Sequence, residues 1–358
     1  SLRRQRQMCI RDRYNEEQNI NGILECIKNQ DYDHNNMEVV LVDGASTDNT
    51  RALMCEFALD NKDEFRRVVV LDNPKKTLPS GWNVALREYK GDAIIKVDAH
   101  AVIPEDFVSK NVRVLETGEY ICGGQRPNII DKPTPFKETL LLAESSMFGS
   151  SIASYRNNPG KTYVKSLFHA AYRREVFEKV GFFNEELVRT EDNEIHYRMR
   201  KAGYKLCFDP DIISYQYTRS SLKAMLKQKY ANGYWIGKTS KVCPKCLSIY
   251  HFVPFAFVSA IIASGSVIGA TGLAECIKKR HNHTLGKGIS ALRKVTVVLT
   301  TVMWVLYALM ASGMAAVSAF KAEDKRNITN ACLPVLFLLL HLSYGIGTIC
   351  LLYTSDAA

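Results

Sequence analysis

The sequence predicts an α/β domain, a mostly parallel sheet with helices on both faces, followed by carboxyl-terminal transmembrane helices. From Tyr14 to about Tyr217, short β-branched runs alternate with helical stretches, the pattern of parallel strands joined by crossover helices. After Tyr250 the segments 251–272, 295–320 and 331–353 hold no Asp, Glu, Lys or Arg, and each is long enough for the about 20 helical residues that span a bilayer core. With 358 residues, 46% hydrophobic and 23% charged, the chain is too apolar for a disordered protein and large enough for a full core.

The chain opens on SLRRQRQMCIRDR, whose longest apolar run is Met8 to Ile10, so it holds no signal-peptide core. Its CIRDR and the terminal YTSDAA resemble translated sequencing-adapter sequence, and residues 1–13 and 354–358 are expected to be a non-native leader and tail. Arg11, Asp12 and Arg13 are poor strand material, so the strand expected before Tyr14 reads as missing or replaced. Residues 38–46 form an apolar strand ending in Asp43, then a turn at Gly44 and a helix over 47–59. Residues 67–72 repeat the design, Ser80 is an N-cap for a helix running to Lys90, and residues 92–100 are a third strand. Pro104 suits the first turn of the next helix. Further on, a short helix stops at Gly181, and a helix capped by Thr190 stops at Gly203 with Ile195, Met199 and Ala202 on its core face. Glu191 and Asp192 fall in its first turn, where the dipole favours charged carboxylates.

Ligands of open α/β sheets bind beyond the carboxyl ends of the strands, which is where Asp43 and Asp98 project. For either residue alone, a helix cap or an Asx turn is the alternative. The net charge of +10 favours anionic partners such as nucleotides, nucleic acid or an acidic bilayer surface. Ten cysteines at scattered spacing point to reduced thiols and a cytosolic catalytic part. Cys243 and Cys246 form one CxxC without a second pair at zinc spacing, so no structural zinc is expected.

Three crossings is the simplest membrane count. The loop 275–294 carries six Lys or Arg and one acid, which wants it in the cytoplasm along with the preceding domain. A re-entrant first segment, favoured by Pro254, Gly265 and Gly269, would satisfy both demands.

The motifs YNEEQNI (14–20), VLVDGASTDNT (40–50), VDAH (97–100) and TED (190–192), in that order, resemble an inverting glycosyltransferase of family 2 with the GT-A fold. The DAHAVIP, HAAYRREVF and HLSYGIG stretches are most similar to membrane-anchored transferases of succinoglycan and related exopolysaccharide biosynthesis. The resemblance covers 14–353, which divides into a GT-A domain over 14–240 and a membrane domain over 250–353.

It implies transfer of a sugar from a nucleotide-diphosphate donor, a UDP-sugar as first expectation, to a lipid-linked or saccharide acceptor in exopolysaccharide or cell-surface glycan synthesis. A multi-pass protein of the inner cell membrane is implied, with its catalytic domain cytoplasmic and no nucleic-acid partner. By resemblance, Tyr14, Glu16 and Asp43 bind the donor, and Asp98 occupies the DxD position that holds a divalent metal, Mn²⁺ or Mg²⁺, against the phosphates. His100 stands in place of the second carboxylate, removing one negative charge and adding a nitrogen ligand, which favours Mn²⁺. Asp192 matches the catalytic base. Lys76, with the amides of Gly81 and Trp82, is a candidate anion contact or a solvated loop lysine, and His169 is a metal or donor contact or a hydrogen-bonded core histidine. Glu191 is an acceptor-side candidate beside the base. The QxxRW motif of processive synthases is absent in strict form, which favours single-sugar transfer; Gln228, Tyr230 and Trp235 remain acceptor candidates or packing residues. The alternatives are a processive polysaccharide synthase and a non-catalytic nucleotide-sensing membrane protein.

Overall fold

The computed structural model describes residues 6–11, 15–149, 160–281, 286–322 and 327–354. The chain divides into two compact units: residues 1–131, 152–218 and 242–246 form the first, and residues 132–151, 219–241 and 247–358 the second.

The first unit begins with β1 (Arg6–Arg11), α1 (Ile20–Lys28), β2 (Met37–Asp43), α2 (Thr50–Asp60), β3 (Arg67–Asp72), α3 (Leu78–Glu88) and β4 (Ala93–Asp98). Then follow β5 (Ala101–Val102), α4 (Phe107–Glu116), β6 (Ile121–Gln125) and β7 (Asn128–Ile129). After α5 (Pro135–Ser145), which belongs to the second unit, come β8 (Thr162–Val164), β9 (Ala171–Arg173), α6 (Arg174–Val180), α7 (Glu191–Lys201), β10 (Leu206–Ile213) and β11 (Tyr215–Tyr217). The main sheet has the order β3-β2-β1-β4-β9-β6-β10-β8, and a small sheet the order β5-β11-β7. The first four strands of the main sheet are parallel to one another, while β9 runs antiparallel between β4 and β6.

Every residue of β2 and of β4 is buried, as expected for strands covered on both faces. Alternation then divides the core: Val39, Leu41, Ile95 and Val97 pack with Ile20, Ile23, Ile27 and Phe107, while Val40, Val42 and Ile94 pack with Trp82, Leu86, Ile195 and Met199. Gly181 and Gly203 end α6 and α7 with φ of 83° and 96°, where a side chain would be strained.

β1 stands where the expected strand read as missing or replaced. Its six residues pair in register with β2 on one side and β4 on the other, so backbone groups are met along both edges, and that pairing outweighs a poor side-chain propensity. Helix starts also differ. α2 begins at Thr50 rather than residue 47 because Asp48 folds back, its Oδ1 accepting from the Thr50 amide at 3.1 Å and hydroxyl at 2.6 Å. Ser80 lies inside α3 rather than capping it: its hydroxyl donates to Asn73 Oδ1 and the Thr77 carbonyl at 2.9 Å. Pro104 precedes α4, in a turn whose carbonyl accepts from the Phe107 amide at 3.1 Å and Gln30 Nε2 at 2.8 Å.

The second unit consists of α5 with α8 (Leu222–Val242), α9 (Val253–Arg280), α10 (Lys287–Lys321) and α11 (Leu333–Thr354). Residues 249–280, 287–321 and 328–351 are three segments long and apolar enough to cross a membrane. They extend beyond the uncharged stretches because the helices continue into charged ends such as Lys278–Arg280. α9 runs unbroken through Pro254, Gly265 and Gly269 for 28 residues, about 42 Å at 1.5 Å per residue, longer than a bilayer core and without a break for a re-entrant turn. α8 and α11 cross at backbone contact, since a Cβ on Gly233 would strike the Tyr344 carbonyl and one on Gly347 the Tyr230 carbonyl. Thr348 donates its hydroxyl to the Gly233 carbonyl at 3.0 Å across that crossing, the small-residue packing typical of membrane helices.

Candidate active site

β2 and β4 flank β1, and Arg11 lies opposite both Val42 and Asp98. Asp43 and Asp98 therefore leave the sheet at one edge, on either side of β1, at the point where the strand order changes direction and open α/β sheets hold ligands. Asp43 is buried, and its carboxylate accepts from the Ser46 amide at 3.1 and 3.4 Å, so a turn role coexists with its place at the edge. The left-handed residue of that turn is Ala45, φ 59°, rather than Gly44. Glu16 reaches the same edge because its turn is tied to the β2–α2 loop. The Glu16 amide donates to Thr50 Oγ1 at 2.9 Å, Asn15 Nδ2 to Thr47 Oγ1 at 3.2 Å, and Asn49 Nδ2 to Glu17 Oε1 at 2.6 Å. Tyr14 lies outside the described residues.

The first turn of α7 brings in the other carboxylates. Lys96 of β4 sets its ammonium 2.5 Å from Asp192 Oδ1 and 3.7 Å from Glu191 Oε1. Its neighbours also include the rings of Trp82 at 5.2 Å and Phe183 at 5.5 Å. Burial opposes the charge on Lys96, but Asp192, Glu191 and Asp98 outweigh it and raise its pKa. Glu191 departs from the expectation of a dipole-stabilised anion: burial first, then the Asp192 charge, push its pKa up to about 8. Desolvation exceeds a helix-dipole effect that is worth under about 2 kcal/mol. Asp192 keeps 17% of its side-chain surface exposed, Glu191 only 3%. Beneath them, His196 on α7 is buried between the Tyr172 hydroxyl at 2.8 Å and Ser166 Oγ at 3.0 Å.

Asp98 is also buried, and burial would raise its pKa, yet His169, His100 and Lys96 together hold it well below the usual carboxylate range. His169 Nε2 stands 3.8 Å from Asp98 Oδ2, and its Nδ1 is 2.9 Å from Ser214 Oγ. His169 is thus both a hydrogen-bonded interior histidine and a neighbour of Asp98.

Residues 13–181 match the profile of the family described as Glycosyl transferase family 2. The chain carries a family 2 glycosyltransferase domain. It is similar to the succinoglycan biosynthesis protein ExoA of Rhizobium meliloti, 30% identical over 203 residues that cover 55% of this chain and 59% of that protein. It is also similar to a dolichyl N-acetyl-alpha-D-glucosaminyl phosphate 3-beta-D-2,3-diacetamido-2,3-dideoxy-beta-D-glucuronosyltransferase of Methanococcus voltae, 27% identical over 257 residues, 70% of this chain and 78% of that protein. Among solved structures, the mannosyltransferase PcManGT from Pyrobaculum calidifontis, in complex with GDP-Man and Mn²⁺, shares the fold with a TM-score of 0.58 at 17% identity, over 97% of this chain and 87% of that one. The fold class is accordingly GT-A.

Within the glycosyltransferase domain, the residues around Asp98 fit a divalent ion. Burial lowers the His169 pKa, which keeps the ring neutral. His169 Nε2 is buried with no hydrogen-bond partner and faces Asp98 Oδ2 at 3.8 Å, a span that one cation between the two atoms would bridge. His100, one residue beyond β4 plus Ala99, meets the Gln216 amide at 2.9 Å beside the β5–β11 pairing. Among the described residues no group of three His, Cys, Asp or Glu side chains could hold a metal ion by itself.

The other sequence candidates fall elsewhere. Lys76 is exposed on the β3–α3 loop with φ 57°. The Gly81 amide is taken by the Thr77 carbonyl at 3.2 Å, as the helix interior requires, so it does not point out as an anion donor. Gln228, Tyr230 and Trp235 lie on α8 in the second unit. There, Tyr230 is exposed and Trp235 packs edge-on against Tyr234 at 6.0 Å. Two buried cations of the first unit escaped notice: Lys96, and Arg126, stacked 3.7 Å over the Phe168 ring. A lysine inside the apolar strand AIIKVD was the available signal, because a fully buried lysine needs a carboxylate partner.

Proposed function

We propose that this domain is an inverting glycosyltransferase that moves a sugar from a nucleotide-diphosphate donor, a UDP-sugar first, to a lipid-linked or saccharide acceptor in exopolysaccharide or cell-surface glycan synthesis. The observation that supports it best is the row Asp98, Lys96, Asp192, in which a partly exposed carboxylate at a helix start stands beside an acid held ionised at a strand end.

Asp192 takes the acceptor hydroxyl proton as that oxygen attacks the anomeric carbon from the face opposite the diphosphate. The new glycosidic bond forms as the bond to the phosphate oxygen breaks, and its electron pair leaves with the nucleotide diphosphate. One displacement inverts the configuration. Tyr14, Glu16 and Asp43 hold the nucleoside, and Lys76 lies on the donor side. Asp98 and His100, with His169 beside Asp98, would hold a divalent ion, and that ion would supply positive charge against the departing diphosphate. Glu191, buried and neutral near pH 7, stays out of the proton transfer. The three apolar helices support an acceptor at the bilayer, with the catalytic unit on the cytoplasmic side of the inner membrane.

Membranes containing the full chain, incubated with a panel of ¹⁴C-labelled UDP- and GDP-hexoses, Mn²⁺ and lipid extract, test this. Label should enter the lipid fraction with the anomeric configuration inverted, as NMR of the product reads. Retention of configuration, or no transfer from any donor, would overturn the proposal.

A further inference from the structure

We propose that Lys96 is the positioning residue of the base: its buried ammonium grips Asp192 Oδ1 and so aims the other carboxylate oxygen at the acceptor hydroxyl. The inference rests on Asp192 being the base and names a residue that no motif of the sequence marks.

The contacts of Lys96 allow the ammonium little freedom. Its side chain is 6% exposed, with the Trp82 and Phe183 rings at one flank and Asp192 at 2.5 Å. Such a charge-assisted contact in a dry surrounding is short and directional. Of the two acids in reach, Glu191 is farther, at 3.7 Å, and its raised pKa leaves it largely protonated near pH 7, so the single positive charge is directed to Asp192. The α7 backbone that carries Asp192 is itself pinned by the Tyr172–His196–Ser166 contacts. With the backbone fixed from below and Oδ1 fixed from the side, the rotamer of Asp192 is determined. Lys96 and Asp98 are two apart on β4 and share one face of the sheet. A single strand therefore sets the spacing between the base and the acid that faces the donor phosphates.

A base displaced by about 1 Å loses on the order of 10²-fold in rate. Lys96→Met should lower kcat by about that factor while the KM for the nucleotide-sugar donor stays within about twofold, and Lys96→Arg should recover about tenfold of the loss. In the Asp192→Asn background, Lys96→Met should cost nothing further, because the group it aims is gone. Should Lys96→Met fail to fold, Lys96→Met/Glu191→Gln, which also removes the buried carboxyl group beside it, must show the same kcat loss with binding of UDP or GDP plus Mn²⁺ retained by calorimetry. Unchanged kcat in the folded variant, or a loss confined to donor KM, would overturn the role of Lys96. Normal turnover in Asp192→Asn would instead overturn the base, whatever Lys96 does.

Discussion

Two buried lysines, one in each unit, meet buried carboxylates in different ways. In the first unit Lys96 sits 2.5 Å from Asp192, whose side chain keeps 17% of its surface open. In the second unit Lys229 of α8 sits 3.6 Å from Glu144 of α5, and both side chains are closed, at 6% and 8% exposed. An ion pair with an open side has an oxygen for chemistry, whereas a closed pair joins two helices. The first type of pair should be felt in turnover and the second in stability.

The largest expected effect separates the two directly. Asp192→Asn should reduce transfer by about 10²- to 10⁴-fold, the range of a general base, with its melting temperature near wild type, whereas Glu144→Gln should leave turnover per folded molecule unchanged. Next, Glu144→Gln should lower the stability of the detergent-solubilised chain by about 3 kcal/mol, because breaking a buried ion pair removes part of the compensation of a buried charge; an unaltered melt would remove the structural role of that pair.

A third effect concerns pH. Glu191 has a folded pKa of about 8 against 4.5 for the free side chain, set by burial and by Asp192. The native state therefore holds a proton that the unfolded state releases between those values, and stability contributed below pH 4.5 is lost as pH rises through about 8. Glu191→Gln should flatten the dependence of the melting temperature on pH across that window, and a slope equal to wild type would show that Glu191 is ionised in the folded protein.

The two units also differ in how far they were legible in the sequence. The apolar strands ending in Asp43 and Asp98 could be read because both faces are buried and leave continuous β-branched runs. The three apolar helices were equally plain, since length and lack of charge suffice, although their ends were not: helices 249–280 and 287–321 continue into lysine and arginine. β1 was hidden because its place is set by pairing with two strands remote in sequence. The state of Glu191 was hidden for a related reason: its first-turn position is local, but the burial that overrides the dipole is tertiary. Lys96 stood in plain view, yet only the fold brings residue 192 to it.

Binding of nucleotide diphosphate in the presence of Mn²⁺, measured by calorimetry on wild type, Asp43→Ala, Asp98→Ala and Asp192→Asn, tests most directly whether these acids serve one pocket. Binding should weaken at least about tenfold in the first two variants, the loss of one charge-assisted contact each, while Asp192→Asn binds like wild type and yet transfers sugar at least about 10²-fold more slowly. Wild-type affinity in Asp43→Ala and Asp98→Ala would contradict the account.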